Sequence, residues 1–227
     1  MQWLWENRDL VLGLTLDHVR LSAPPILVGF LASIPLGWLA SRYRAARAIL
    51  LSLGGILFTI PSLALFVALP AVLGTKILDD LNVVVALSIY AVAIMIRGAA
   101  DAFASVSPSV LRSATAVGHS ALTSFWSVEF PLAGPVLLAN LRVVSVTTVS
   151  LLSVAALIGK GGLGYLFLNG YQRDFPTEVA IGIVFIMLIA LVFDLVLVML
   201  GRLLMPWAHT LFPRFRARPL ADSAVAR

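Results

Sequence analysis

The chain has 227 residues, of which 60% are apolar and only 12% charged, about half the charged share of a soluble domain. That composition excludes a soluble enzyme or binding module and places the chain in a membrane. The absence of cysteine excludes disulfides, Cys-zinc sites and thiol chemistry. The net charge of +5 is no sign of nucleic acid, because the basic residues flank apolar runs as topology determinants do. The length suits one membrane domain of about five helices at roughly 20 residues each.

Residues 1–16 set Trp3, Leu4, Leu10, Leu12 and Leu14 among Glu6, Arg8 and Asp9. They form either an amphipathic helix at the outer interface, with Trp3 and Trp5 at headgroup level, or a frayed polar terminus. The membrane domain is expected over residues 17–206. Its first span, Leu21–Ala40, is followed by Arg42, Arg44 and Arg47. A secretory signal has its basic cluster before the apolar run, so this span is no cleaved leader. The second span, Ala48–Leu73, contains Thr59-Ile60-Pro61-Ser62. Pro61 lacks an N–H and clashes with the preceding turn, which predicts a kink or break. Thr59 and Ser62 bring hydroxyls to the freed carbonyls, and the break marks either a transport pathway or a packing kink.

The third span, Asn82–Ile96, is the shortest and extends toward Ala99 and Ala100. After it, residues 97–131 form a polar-aromatic loop. Val110 to Val117 predict one short helix, Gly118 a sharp turn, and Ser120 the cap of a second short helix carrying Leu122, Phe125, Trp126 and Val128. Pro131 opens the fourth span, Leu132–Ile158. Two short helices at an angle make a knob, with Phe125 and Trp126 as aromatic anchors; it either docks a partner or packs on its own bundle. Gly159 to Pro176 is a long outer loop with three close glycines, Gly161, Gly162 and Gly164. It either re-enters as a gate or is a flexible connection. The fifth span, Val179–Met205, contains Asp194, an acid deep in a span that must face protein or water. Asp194 either pairs with Arg142 of the fourth span or lines a path. The tail, residues 207–227, is basic and too poor in apolar surface to fold alone; it is either a lipid-touching segment or a solvated one.

The basic clusters alternate between the two ends of the spans. Arg42–Arg47, Arg97, Arg112, Arg202, Arg214, Arg216, Arg218 and Arg227 fall on one side and read as cytoplasmic; the N-terminus is then outside and the C-terminus inside. No catalytic constellation is present. His18, His119 and His209 lie far apart without metal-ligand spacing, and no GxxxxGK[ST] loop occurs, so the chain does not hydrolyse ATP itself.

Three stretches carry a resemblance: Thr59-Ile60-Pro61-Ser62-Leu63-Ala64-Leu65, Gly118 through Val128-Glu129-Phe130-Pro131 to Pro135, and Leu157-Ile158-Gly159-Lys160-Gly161-Gly162-Leu163-Gly164. With weaker echoes around His18 and at Tyr90–Arg97, they resemble the membrane subunit of type I ABC importers, within the glycine betaine, carnitine and choline (osmoprotectant) group. The resemblance implies an all-α polytopic permease of the bacterial cytoplasmic membrane without a cofactor. Its implied partners are two cytoplasmic ATP-binding subunits, a second permease chain, an extracytoplasmic solute-binding protein and lipid, with no nucleic acid. It assigns ATPase coupling to Ala114, Gly118, His119, Ser120, Phe125, Trp126, Val128, Glu129 and Pro131. The translocation pathway falls to Thr59, Pro61, Ser62, Gly161, Gly162 and Gly164. One departure stands out: the family's acid and two alanines, opening six positions before the Gly, read here Arg112-Ser113-Ala114, so an ion pair made by that acid does not carry over. A methionine-type or other amino-acid importer, which should lack the Thr-Ile-Pro-Ser-Leu-Ala segment, and a non-transport membrane scaffold are the alternatives.

Overall fold

The computed structural model describes residues 2–208; the tail arginines from Arg214 onward, and His209, lie outside the described residues. The described residues are helical, with no strand. A short α1 (Gln2–Glu6) leads into α2 (Arg8–Arg42), followed by α3 (Arg44–Thr59), α4 (Ser62–Leu73), α5 (Asp80–Ala104), α6 (Pro108–Ala116), α7 (Ala121–Ser124), α8 (Phe130–Leu152), α9 (Gly164–Gln172) and α10 (Pro176–Leu204). Among these residues α2, α5, the run Ala121–Ile158 and α10 are each long and apolar enough to cross a membrane. The pair α3 and α4, bent by 100°, is together long and apolar enough for a fifth, either as a broken span or as a re-entrant loop.

The core is the crossing of α2 with α5. Lipid tails give helices no hydrophobic reason to associate, so close backbone approach at small residues takes that role. Gly29, Ser33 and Gly37 recur every fourth residue and are all buried. A Cβ at Gly29 would stand 2.6 Å from the Ala91 Cβ, and one at Gly37 would overlap Ala99. Met95, Phe103, Leu137, Leu141 and Val144 fill the space between this seam and α8. The α10 helix packs along α8, with Phe193 and Leu197 turned to the core, and leaves much of its apolar surface outward.

Several expected boundaries shift. No break separates residues 1–16 from the first span. The α2 helix already begins at Arg8, because nothing between Arg8 and Leu21 stops a helix, and Val11 and Leu14 pack with Leu163, Leu166 and Ile189. The third span runs on to Ala104, past the Ala99 and Ala100 toward which it was expected to extend, since Arg97 and Asp101 interrupt the hydropathy but not the helix. Arg97 and Asp101 therefore stand on α5, and the loop expected to start at Arg97 starts at Ser105. The outer loop 159–176 is not open chain: half of it is α9.

Candidate functional site

The segment joining α5 to α8 is set by its breakers. Pro108 occupies the first turn of α6, where a missing N–H is harmless. Gly118 turns the chain at φ +93°, and the Gly118 and His119 N–H groups close on the Thr115 and Ala114 carbonyls. The Ser120 hydroxyl accepts from the Thr123 N–H at 3.3 Å, capping the next helix. From Ser120 to Pro131 no breaker intervenes, and the helix continues into the fourth span. A proline ring in an α-helix strikes the carbonyl four residues back. The backbone just ahead of Pro131 answers with a π turn over Phe125–Glu129, in which the Phe130 N–H reaches the Phe125 carbonyl. The expected second short helix is thus not set apart by a break; Ala121–Glu129 forms the opening turns of the fourth span.

The two aromatics expected to act as paired anchors divide. Successive helical residues point about 100° apart, so Phe125, 9% exposed, turns inward and Trp126, 59% exposed, turns out. The Phe125 ring meets Trp38 of α2 and Phe103 of α5, each at a centroid distance of 5.7 Å. Phe125 therefore holds the segment to the bundle and is not an exposed anchor. Glu129 is also internal, at 3% exposure. The Trp38 Nε1–H donates to Glu129 Oε2 at 3.0 Å, and the Arg42 guanidinium donates to Oε1 at 2.5 Å. The same guanidinium lies over the Trp38 ring, 5.3 Å from its centroid. Ala114 is buried, His119, Val128 and Pro131 are half-buried, and Gly118, Ser120, Leu122 and Trp126 are exposed. An apolar groove of about 570 Å³ runs between Leu31, Ile34 and Pro35 of α2 and Leu122 and Trp126.

At the second span, Ile60 and Pro61 leave the helix with extended backbone, and the chain turns by 100°. Thr59 and Ser62, expected to serve the carbonyl freed there, do not do so. The Thr59 hydroxyl turns back to the Ile56 carbonyl at 2.7 Å. The Ile60 carbonyl accepts instead from the buried Tyr90 hydroxyl of α5, at 2.5 Å. Thr59 and Pro61 are exposed and Ser62 half-buried on the outer side of this corner.

The outer glycine turn is a tight seat. Gly159, Gly161 and Gly162 all have positive φ, and a Cβ at Gly162 would come within 2.8 Å of the His18 backbone. Gly161, Gly162 and Gly164 are buried. His18, fully buried, places Nε2 3.0 Å from the Val149 carbonyl and Nδ1 3.3 Å from the Gly161 carbonyl. The turn is therefore locked between α2 and α8 and is no flexible connection. Beside it opens a cleft of about 500 Å³ lined by Asp17, Arg20, Asp80, Lys160 and Tyr165, with Lys160 paired to Asp80 at 2.6 Å.

Asp194 pairs with Arg142. Arg142 Nε and Nη2 donate to the two carboxylate oxygens at 2.6 and 2.8 Å, the two-pronged geometry that arginine favours. The pair lies on the outer surface between α8 and α10, half-exposed in the single chain.

Trp38, Arg42 and Tyr90 were absent from the residues expected in the site. A Trp and an Arg four positions apart at the end of a span share one helix face, which was readable. Glu129 itself was expected in the coupling segment, but its pairing with Trp38 and Arg42, 87 positions away from the latter, was not readable.

Comparison with known proteins identifies the family and the fold. Residues 26–208 match the family described as binding-protein-dependent transport system inner membrane component. The chain is 31% identical to the choline transport system permease protein OpuBB of Bacillus subtilis, over 91% of this chain and 94% of that one. It is 30% identical to the osmoprotectant import permease protein OsmW of Salmonella typhimurium, over 91% and 97% respectively. Among solved structures it superposes on the inward-facing MetNI methionine ABC transporter with a TM-score of 0.67 at 22% identity, covering 87% of this chain and 96% of that one. The chain belongs to the binding-protein-dependent transport inner membrane component family and is a permease with the type I ABC importer fold.

Proposed function

We propose that this permease forms the translocation pathway of an ATP-driven importer for a compatible solute such as glycine betaine, carnitine or choline. The observation that carries the substrate class is the identity of about three residues in ten, over nine-tenths of the chain, to permeases named for choline and osmoprotectant transport. The methionine transporter shares the fold, and at 22% identity it brings no substrate with it.

In this reading the basic end of the bundle is cytoplasmic, the N-terminus lies outside, and two permease chains, identical or homologous, enclose the path. Two ATP-binding subunits dock at the segment from Ala114 to Pro131, with Trp126 and Leu122 as the exposed contacts. ATP-driven approach of those subunits rocks the spans between inward-open and outward-open. An extracytoplasmic binding protein delivers the solute at the end carrying Gly161, Gly162 and Gly164, and Thr59, Pro61 and Ser62 border the path at the broken span. A quaternary ammonium is usually gripped by a cage of aromatic rings. Such rings are scattered here, so selectivity rests mainly with the binding protein.

The test is uptake of labelled glycine betaine into proteoliposomes holding this chain, its ATPase, any partner permease and the binding protein. Carnitine, choline, proline and methionine serve as competitors. ATP-dependent uptake blocked by the quaternary ammonium compounds supports the reading. Uptake of methionine or proline alone keeps the importer and removes the substrate class.

A further inference from the structure

The buried carboxylate of Glu129 asks for a reason. It sits at 3% exposure beside Phe125, Phe130 and Ala133, where a leucine would pack without desolvating a charge. Replacing an ion-paired buried carboxylate by a well-packed apolar residue is often neutral or stabilising, and its partner Arg42 is 41% exposed, so the pair is a weak source of stability. What a carboxylate adds is register: apolar surfaces in contact can slide, whereas two oxygens bound to two donors define one alignment. Both donors here, Trp38 and Arg42, come from one face of α2, four residues apart.

The place matters as much as the pairing. Glu129 is the last residue of the π turn, a helical turn with irregular hydrogen bonding, of a kind that recurs at functional sites and kinks. Displacement delivered to the exposed Leu122 and Trp126 must cross this turn to reach the fourth span. Left free, the turn could bend and absorb it. On the far side of the clamp stands α2, joined through its Gly29–Ser33–Gly37 seam to α5, and α5 is tied to α3 by Asp101 and Arg47 at 2.6 Å.

We infer that Glu129 is a positioning residue for transport: its carboxylate fastens the π turn to Trp38 and Arg42, so that motion received by the coupling segment turns α2 with α8. This rests on the importer reading above. The acid that the chain keeps near this loop is thus turned inward, toward its own first span.

The experiment measures solute moved per ATP hydrolysed in proteoliposomes of the full complex, with labelled glycine betaine as the probe. Glu129→Gln and Arg42→Gln are each expected to lower that ratio at least tenfold, with the ATPase still co-purifying. The double variant should be no worse than either single one, because both remove the same link. In the otherwise cysteine-free chain, the pair Arg42→Cys and Glu129→Cys, bridged by a short bifunctional maleimide, should recover the ratio. An unchanged ratio in Glu129→Gln overturns the inference alone. A parallel fall in assembly, hydrolysis and uptake, or a bridge that restores nothing, reduces Glu129 to a folding role and overturns it too. Absence of ATP-dependent uptake in the unsubstituted complex overturns the importer reading together with it.

Discussion

Phe125 and Trp126 are neighbours with opposite surroundings, and truncating each separates folding from docking. Phe125→Ala removes a buried ring wedged between Trp38 and Phe103. It should cost about 3–5 kcal/mol, seen as a lower melting temperature of the detergent-purified chain. Trp126→Ala removes an exposed ring and should leave melting nearly unchanged while abolishing co-purification with the ATPase; retained co-purification would remove Trp126 as an anchor. Tyr90→Phe deletes the one donor seen at the Ile60 carbonyl. An unserved, partly buried carbonyl costs about 1–3 kcal/mol, so this variant should also melt lower, although its ring packing is unchanged. A melting curve matching the unsubstituted chain would mean that the corner is held by chain geometry alone. Sequence reasoning foresaw the break at Pro61 but not Tyr90, because a proline announces itself locally and the group that satisfies its carbonyl stands 30 positions away.

At the scale of helices, the α2–α5 seam should tolerate no added carbon. Gly37→Ala pushes a methyl into Ala99 and should destabilise by about 1–3 kcal/mol, the range for overpacking. Gly55→Ala, in a helix where nothing lies within 4 Å of the new carbon, should be neutral or gain up to about 1 kcal/mol through the unfolded chain. Equal effects in a denaturant or thermal series would mean that this seam is not tightly packed. The spans were readable from their apolar runs, because membrane thickness fixes helix length; the four-residue spacing of Gly29, Ser33 and Gly37 lay inside one such run and went unread until the structure set it against α5. Helix ends were less readable than the spans. Arg97, Asp101 and the polar start of α2 lower hydropathy without breaking a helix, and an apolar run marks where a span leaves the membrane, not where its helix stops. The π turn before Pro131 was hidden for another reason. Proline marks a missing hydrogen bond, but whether a chain answers with a loop, a kink or a π turn depends on packing, here that of Phe125 and Glu129 against α2.

For the molecule as a whole, the bidentate Arg142–Asp194 pair is the main constraint on what surrounds the bundle. Charged groups facing lipid are costly, at about 2.5–3.5 kcal/mol each on insertion scales, and this pair lies half-exposed between α8 and α10. A second permease chain against the Val143 and Val146 face of α8 would cover it. Val143→Cys in membranes, treated with a mild oxidant, is therefore expected to yield a disulfide band at the mass of two permease chains, while Leu203→Cys, at the exposed end of α10, yields none; the reverse pattern would place the partner elsewhere. The π turn carries a consequence for the assembled importer. It amounts to one residue inserted into an otherwise continuous helix, taken up in a wider turn that closes from the Phe125 carbonyl to the Phe130 N–H over five steps where an α-turn takes four. The bearing of Trp126 about the axis of the fourth span is therefore nearly that of an unbroken α-helix one residue shorter, and the extra residue widens the turn without turning the docking face. Deleting the exposed Ser127 should therefore let the turn relax to an ordinary α-helix that still inserts and folds, with Trp126 near its present bearing and ATPase co-purification retained; loss of co-purification in that variant would mean that the wide turn itself is needed for docking.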